Sequence, residues 1–360
     1  MKELPKNNSA KIVSQALSFQ TPDRLPVYDG FWSEFEDNWR KTRNMPPEAD
    51  IFDTYWVDLK VCCARETLLP TREGVVGREG DFVLQNDGWG RVIRTKPGTF
   101  FMEPVERILN DPSDLDKIRF DPADLDLRYT EFVKDVEYHR AKGRPVFIKI
   151  GGPFIRTTFF RGEEEFLVDL ASDEKFAAEL VGRMGDHLLE IGLESLKRTN
   201  AWDTGLWIFD DMCNLNAPMF SPRSFERIFL PVYKKIVATL KAAGCRRVFV
   251  HCDGNLNPFL DMLVDAGIGG INPVEPAAGM DVIQLLKKYR GKLCFVGGLC
   301  NSHVLPCRDP NKIRRHVEAV IEAGKDGGLV IGTHTIGPDI SVDNYELYRR
   351  IVAEKGTYKA

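Results

Sequence analysis

Long apolar runs are missing. Nowhere do about 18 apolar residues follow one another, which excludes a membrane-spanning helix on hydropathy. There is no basic block either, and the formal net charge is −4. That excludes a nucleic-acid binder held by phosphate contacts. The eight cysteines include the adjacent pair Cys62-Cys63 but no C-x-x-C, so a zinc ribbon is excluded. In a chain of 360 residues they do not form a disulfide framework. Met1 to Lys11 holds no apolar segment of the secretory type, and a cytoplasmic location is the expectation. Phosphate loops are lacking too. Gly151-Gly152-Pro153 does not fit G-x-G-x-x-G, and no G-x-x-x-x-G-K-[ST] occurs. No internal repeat is evident.

What is present is an ordinary globular composition, 43% apolar and 28% charged, ample for a packed core. From Pro145 onward, strand and helix signals alternate with short connections. Val146–Ile150, Leu206–Phe209, Arg247–His251, Ile268–Val274, Leu293–Val296 and Leu329–Ile331 read as buried parallel strands. Helices are expected over Glu163–Leu170, Asp173–Arg198, Ser221–Ala243, Asn257–Ala266, Met280–Tyr289 and Pro310–Ala323, with a last one capped by Ser341. Before them, a short helix over Ala10–Ser18 forms an N-terminal extension, and Arg24–Tyr28 is a first strand. Asp50 to Asp124 reads as an insertion, with Gln85–Gly90 as the turn of a β-hairpin.

Polar groups follow many different strands: Asp29, Arg156, Asp211, His251 with Asp253, Glu275 and His334. A closed barrel collects such groups at one mouth, so the pattern predicts one (β/α)8 domain over residues 1–360 rather than an open sheet. Alternation along Arg247–Gly254 sends Phe249, His251 and Asp253 to one face, and Val250 and Cys252 to the other. Of the six histidines, His139, His187 and His316 fall in helical patterns and are expected at the surface. His251 and His334 each end a buried strand. Two imidazoles and a carboxylate, Asp253 or Glu275, would make a three-ligand zinc site with one open position. Cys252 ranks lower because it faces away. Asp210 and Asp211 point to opposite sides, and Asp211 is the candidate base or substrate acceptor. Trp32, directly after a strand end, could line a pocket.

Several stretches then combine. They are Pro22-Asp23-Arg24-Leu25-Pro26-Val27, the Trp32–Trp39 helix, Phe160-Arg161-Gly162-Glu163, and Asp211 followed by Phe220-Ser221-Pro222 and Pro231. To these add His251-Cys252-Asp253-Gly254, Glu275, Thr333-His334, Pro338-Asp339 and Asn344-Tyr345. On these residues the chain resembles the uroporphyrinogen decarboxylase superfamily, whose fold is a (β/α)8 barrel. One branch removes carboxylates from tetrapyrroles without a cofactor and carries an Arg-Gln-Ala-Gly-Arg stretch after its first strand. The matching region here, Tyr28-Asp29-Gly30-Phe31-Trp32, has no arginine pair. The other branch passes methyl groups between small molecules and corrinoid proteins. Many of its members bind zinc through His-x-Cys and a later cysteine. His251 matches the histidine, and Asp253 and His334 stand where the two cysteines are expected. The resemblance thus implies a His, Asp, His metal set with His251 and Asp211 catalytic. It also implies a methylated ether- or amine-type substrate, walled by Trp32, Phe154 and Met212 with Asp29 and Arg156 as polar contacts, a corrinoid carrier protein as partner, and a homodimer. The alternatives are a cofactor-free decarboxylase, for which Arg156 and Arg161 would hold carboxylates, and a non-enzymatic tetrapyrrole carrier.

Overall fold

The computed structural model describes residues 8–99 and 101–358. Eight parallel strands form the main sheet: Val27–Tyr28, Lys60–Cys63, Val146–Gly151, Leu206–Phe209, Val248–His251, Gly270–Asn272, Cys294–Gly298 and Leu329–Gly332. Each pairs with the next from the second to the eighth, and the eighth returns to the first. This is a (β/α)8 barrel with helices between the strands. Among the described residues no helix is long and apolar enough to cross a membrane.

The first and second strands share no ladder. The seam between them is closed by Asp58, whose backbone N–H donates to the Val27 carbonyl at 2.9 Å. Its carboxylate, fully buried, accepts from Arg24 (2.6 and 2.7 Å), the Ser9 hydroxyl (2.7 Å) and the Val27 N–H (2.9 Å). Alternation then builds the interior. Phe147, Trp207 and Phe249 point inward and pack ring on ring, in one cluster with Val296 and Val330. Ile12, Val13 and Leu17, from the helix Ser9–Ala16 and its end, join the same cluster.

Local signals set most helix ends. Asp173, Ser221, Asp281, Asp309 and Ser341 each accept a first-turn N–H, and Pro222 and Pro310 fill first helical positions. The stretch Pro222–Ala242 is helical throughout, but Phe225–Phe229 is a π turn. Pro231 has no N–H to give the carbonyl four residues back, and the wider turn accommodates that gap.

Three expectations need correction, and one is met and extended. The helix Pro153–Arg161 was not anticipated; it begins on a proline and ends at Gly162, whose φ is 106°. The hairpin turning at Gln85–Gly90 is present, joining Phe82–Asn86 to Arg91–Thr95, and Gly74–Glu79 and Met102–Arg107 extend it to four antiparallel strands in sequential order. The second barrel strand, Lys60–Cys63, lies inside the range read as insertion; Asp58 and Lys60 interrupt its apolar run. Finally, His139 and His187 are buried, not at the surface. His187 sits under Phe120 and bonds the Glu66 carbonyl at 3.1 Å, and burial pushes its pKa down to about 4.

Candidate metal centre at the barrel mouth

The strand Val248–His251 carries its chemistry at the carboxyl end. Val248 and Val250 pack outward under the helices, Phe249 packs inward, and His251 follows on the inward side. The His251 ring lies flat on Phe209, with centroids 4.0 Å apart and planes 7° from parallel. Its Nδ1 is 2.6 Å from the Asn272 Oδ1. Asn272 is the register partner of His251 on the next strand, and its Nδ2 donates to the Val296 carbonyl at 2.9 Å. A carbonyl only accepts, so the amide nitrogen faces Val296 and the amide oxygen faces the imidazole. Nδ1 must then carry the proton, which leaves a lone pair on Nε2.

That lone pair points at a carboxylate. His251 Nε2 is 3.4 Å from Asp253 Oδ1, and His334 Nε2 is 3.2 Å from the same oxygen. One ligand atom from each of the three residues lies within 4.8 Å of the other two. Asp253 Oδ1 is buried and has no hydrogen-bond partner. A lone pair facing a carboxylate oxygen is repulsive unless a cation lies between them, so these residues fit a metal ion. Two imidazole nitrogens and one carboxylate oxygen suit a divalent metal such as zinc, and three protein ligands leave a position for substrate.

Backbone geometry aims the group. Gly254 has φ 81°, and a Cβ there would come 2.4 Å from the Asn214 carbonyl oxygen. The glycine turn frees its N–H for Glu275 Oε2, at 2.7 Å. Glu275 therefore stands outside the triad, with Oε1 3.9 Å from His334 Nδ1, behind the ring rather than beside the other ligands. Cys252 faces away and is fully enclosed; it accepts the Met212 N–H at 3.3 Å, and burial drives its thiol pKa well up. Asp211 is 44% exposed, with Oδ1 3.8 Å from His251 Nε2 and accepting the Asp253 N–H at 3.2 Å. Its neighbour Asp210 points outward, capping the helix Pro153–Arg161 through the Phe154 and Ile155 N–H groups and accepting from Tyr233. Burial pushes the Asp210 carboxyl up to about 7.

The expected substrate walls are mostly elsewhere. Asp29 is wholly buried; Tyr345, Tyr348 and the Thr333 N–H donate to it, and Arg349 lies 3.5 Å away. It ties the last helix to the first strand, and burial raises its pKa. Phe154 is core, packed on Phe166, Phe220 and Phe229. Met212 is fully buried under Tyr233. Trp32 is 49% exposed at the start of the helix Ser33–Arg43. Arg156 is paired with Glu66 and lies over Trp89 and Phe159. Asn272 was not anticipated. An asparagine inside an otherwise apolar strand was the signal for it.

The role of Asn272 can be measured. Asn272→Leu removes the acceptor at similar volume and frees the His251 tautomer. Metal affinity will fall about 10- to 100-fold, read by competition with a chromophoric chelator at fixed pH. Wild-type affinity in this variant would contradict the assigned orientation.

Comparisons with known proteins bear on the family. No curated protein sequence matches the chain. A solved methyltransferase from Methanosarcina mazei superposes with a TM-score of 0.67 at 16% identity, covering 98% of this chain and 99% of that one. An L-ribulose 3-epimerase has a TM-score of only 0.36 at 15% identity, covering 66% and 79%, and supports no conclusion. Residues 92–354 match the family described as uroporphyrinogen decarboxylase (URO-D), most of the barrel and the site just described. The chain belongs to the uroporphyrinogen decarboxylase family.

Proposed function

We propose that the protein is a methyltransferase, moving a methyl group from a small ether- or amine-type donor to the corrinoid of a carrier protein, with zinc held by His251, Asp253 and His334. One observation carries this reading: three ligand atoms gather within 4.8 Å around a buried carboxylate oxygen that has no other partner. The full-length likeness to the methanogen methyltransferase supports it. Decarboxylation of a polyacid is the weaker reading, because both arginines read for that role are engaged. Arg156 is paired with Glu66, and Arg161 with Asp169 and the Asn110 carbonyl.

Bound zinc would supply Lewis acidity to the departing heteroatom, and the partner's corrinoid would supply the nucleophile for the methyl carbon. The chain's own residues orient and confine. Asn272 and Phe209 fix the His251 ring, so its Nε2 need not reorganise. Asp211 keeps one oxygen without a partner among the described residues. That oxygen can hold a proton or a polar substituent of the donor. The carrier protein would approach the same mouth.

The test is an anaerobic assay of the zinc-loaded protein with reduced cobalamin and methanol, methylamines or methoxybenzenes as donors. The cobalamin spectrum will shift to the methylated form with one donor class. Chelation will slow the reaction by at least about 100-fold. A spectrum unchanged with every donor, or an equal rate after chelation, would refute the reading.

A further inference from the structure

One charged group at the mouth has no task so far. Lys149 belongs to the strand Val146–Gly151 and shares its face with Phe147, which is part of the barrel interior. Its side chain therefore points into the lumen, near the strand's carboxyl end, and the residue is half-buried. No carboxylate pairs with it among the described residues. Glu66, the carboxylate on this wall, is taken by the Arg156 guanidinium and the Gly151 N–H. Cys63, the register partner of Lys149, is exposed and offers a thiol rather than a carboxylate. Its thiol pKa is shifted up, so it is a neutral neighbour.

The ammonium instead rests on an aromatic ring. Lys149 Nζ is 4.2 Å from the Phe209 centroid. The His251 imidazole covers Phe209 at 4.0 Å, so the ammonium takes the opposite face. Lys149 is therefore no more than two ring spacings from the ligand imidazole. The charges are segregated: Asp211, Asp253 and Glu275 gather about the histidines, while the unpaired cation stands across Phe209. A half-buried ammonium without a counter-ion is unfavourable, and a ring face offsets only part of that. An anionic ligand would offset the rest.

We propose that Lys149 anchors an anionic group of the substrate, a carboxylate at the end remote from the transferable methyl. This rests on the reading of the mouth as the substrate site. The span between the ammonium and the centre suits one aromatic ring or a short chain, with the methylated heteroatom at the centre and the carboxylate at the lysine. Such a substrate is a methoxylated or methylaminated small acid.

Calorimetric titration with 4-methoxybenzoate and its neutral isostere 4-methoxybenzamide tests this, with and without added zinc. Wild type will bind the acid at least about 10-fold tighter than the amide. Lys149→Met will lose that preference and keep its affinity for the amide, and Lys149→Arg will retain the preference. An unchanged unfolding midpoint will show that each variant is folded. Equal affinities for acid and amide in wild type, a preference that survives Lys149→Met, or no binding of either probe would overturn the assignment. No methyl transfer enters this measurement, so it stands or falls apart from the proposed reaction.

Discussion

Purified side by side with wild type, His251→Ala and His334→Ala will each carry less than about a tenth of its zinc. Two remaining ligands do not make a tight site, and Glu275 is held by the Gly254 N–H on the far side of the His334 ring. The two variants will differ in stability. His334 lies past the end of its strand with 25% of its side chain exposed, so its loss leaves the fold intact. His251 is buried against Phe209 and bonded to Asn272, so alanine leaves a gap and an unsatisfied amide oxygen. That variant will lose about 1–3 kcal/mol in urea unfolding. Glu275→Gln and Asp211→Asn are the controls. Both lie beside the triad but outside it, and both will retain the metal. Unchanged zinc in the two histidine variants, measured by elemental analysis, would remove the centre from the protein's chemistry.

Asp58→Ala will destabilise the barrel by about 3–5 kcal/mol. The seam depends on this one carboxylate. Removing it strands the Arg24 guanidinium, only 6% exposed, and takes the acceptor from the Ser9 hydroxyl and the Val27 N–H. An exposed pair gives the contrast. Lys235 and Asp186 are each about half exposed, and Lys235→Ala will cost no more than about 0.5 kcal/mol. Urea midpoints measure both. A loss below about 1 kcal/mol in Asp58→Ala would show that the seam is held by packing rather than by this charge network.

The barrel was legible because six of its strands are short, mostly apolar runs bounded by glycine or polar residues, and helical periods separate them. Lys60–Cys63 escaped because Asp58 and Lys60 interrupt its apolar run, and its membership in the sheet is decided by pairing with Val146–Lys149 far along the chain. At the mouth, alternation along Val248–His251 was enough to put His251 and Asp253 on one side. It could not decide between Asp253 and Glu275, because the Gly254 turn sets where each carboxylate lies. Asp29 follows a strand as Asp253 does, yet it is sealed by Tyr345 and Tyr348, more than 300 residues away. Phe154 and Met212 are apolar residues after strands, and nothing local separates a core ring from a pocket wall. Lys149 could have been found, since a lysine two residues after Phe147 in an apolar strand must sit inside the barrel.

The proton assignment on His251 ends at a main-chain atom. Whatever side chain stands at position 296, its carbonyl remains, and the Asn272 amide stays turned toward the imidazole. Substitution within the seventh strand therefore leaves the ring's electron donation as it is. Loops around the opening can diverge toward new substrates while that ring keeps its orientation.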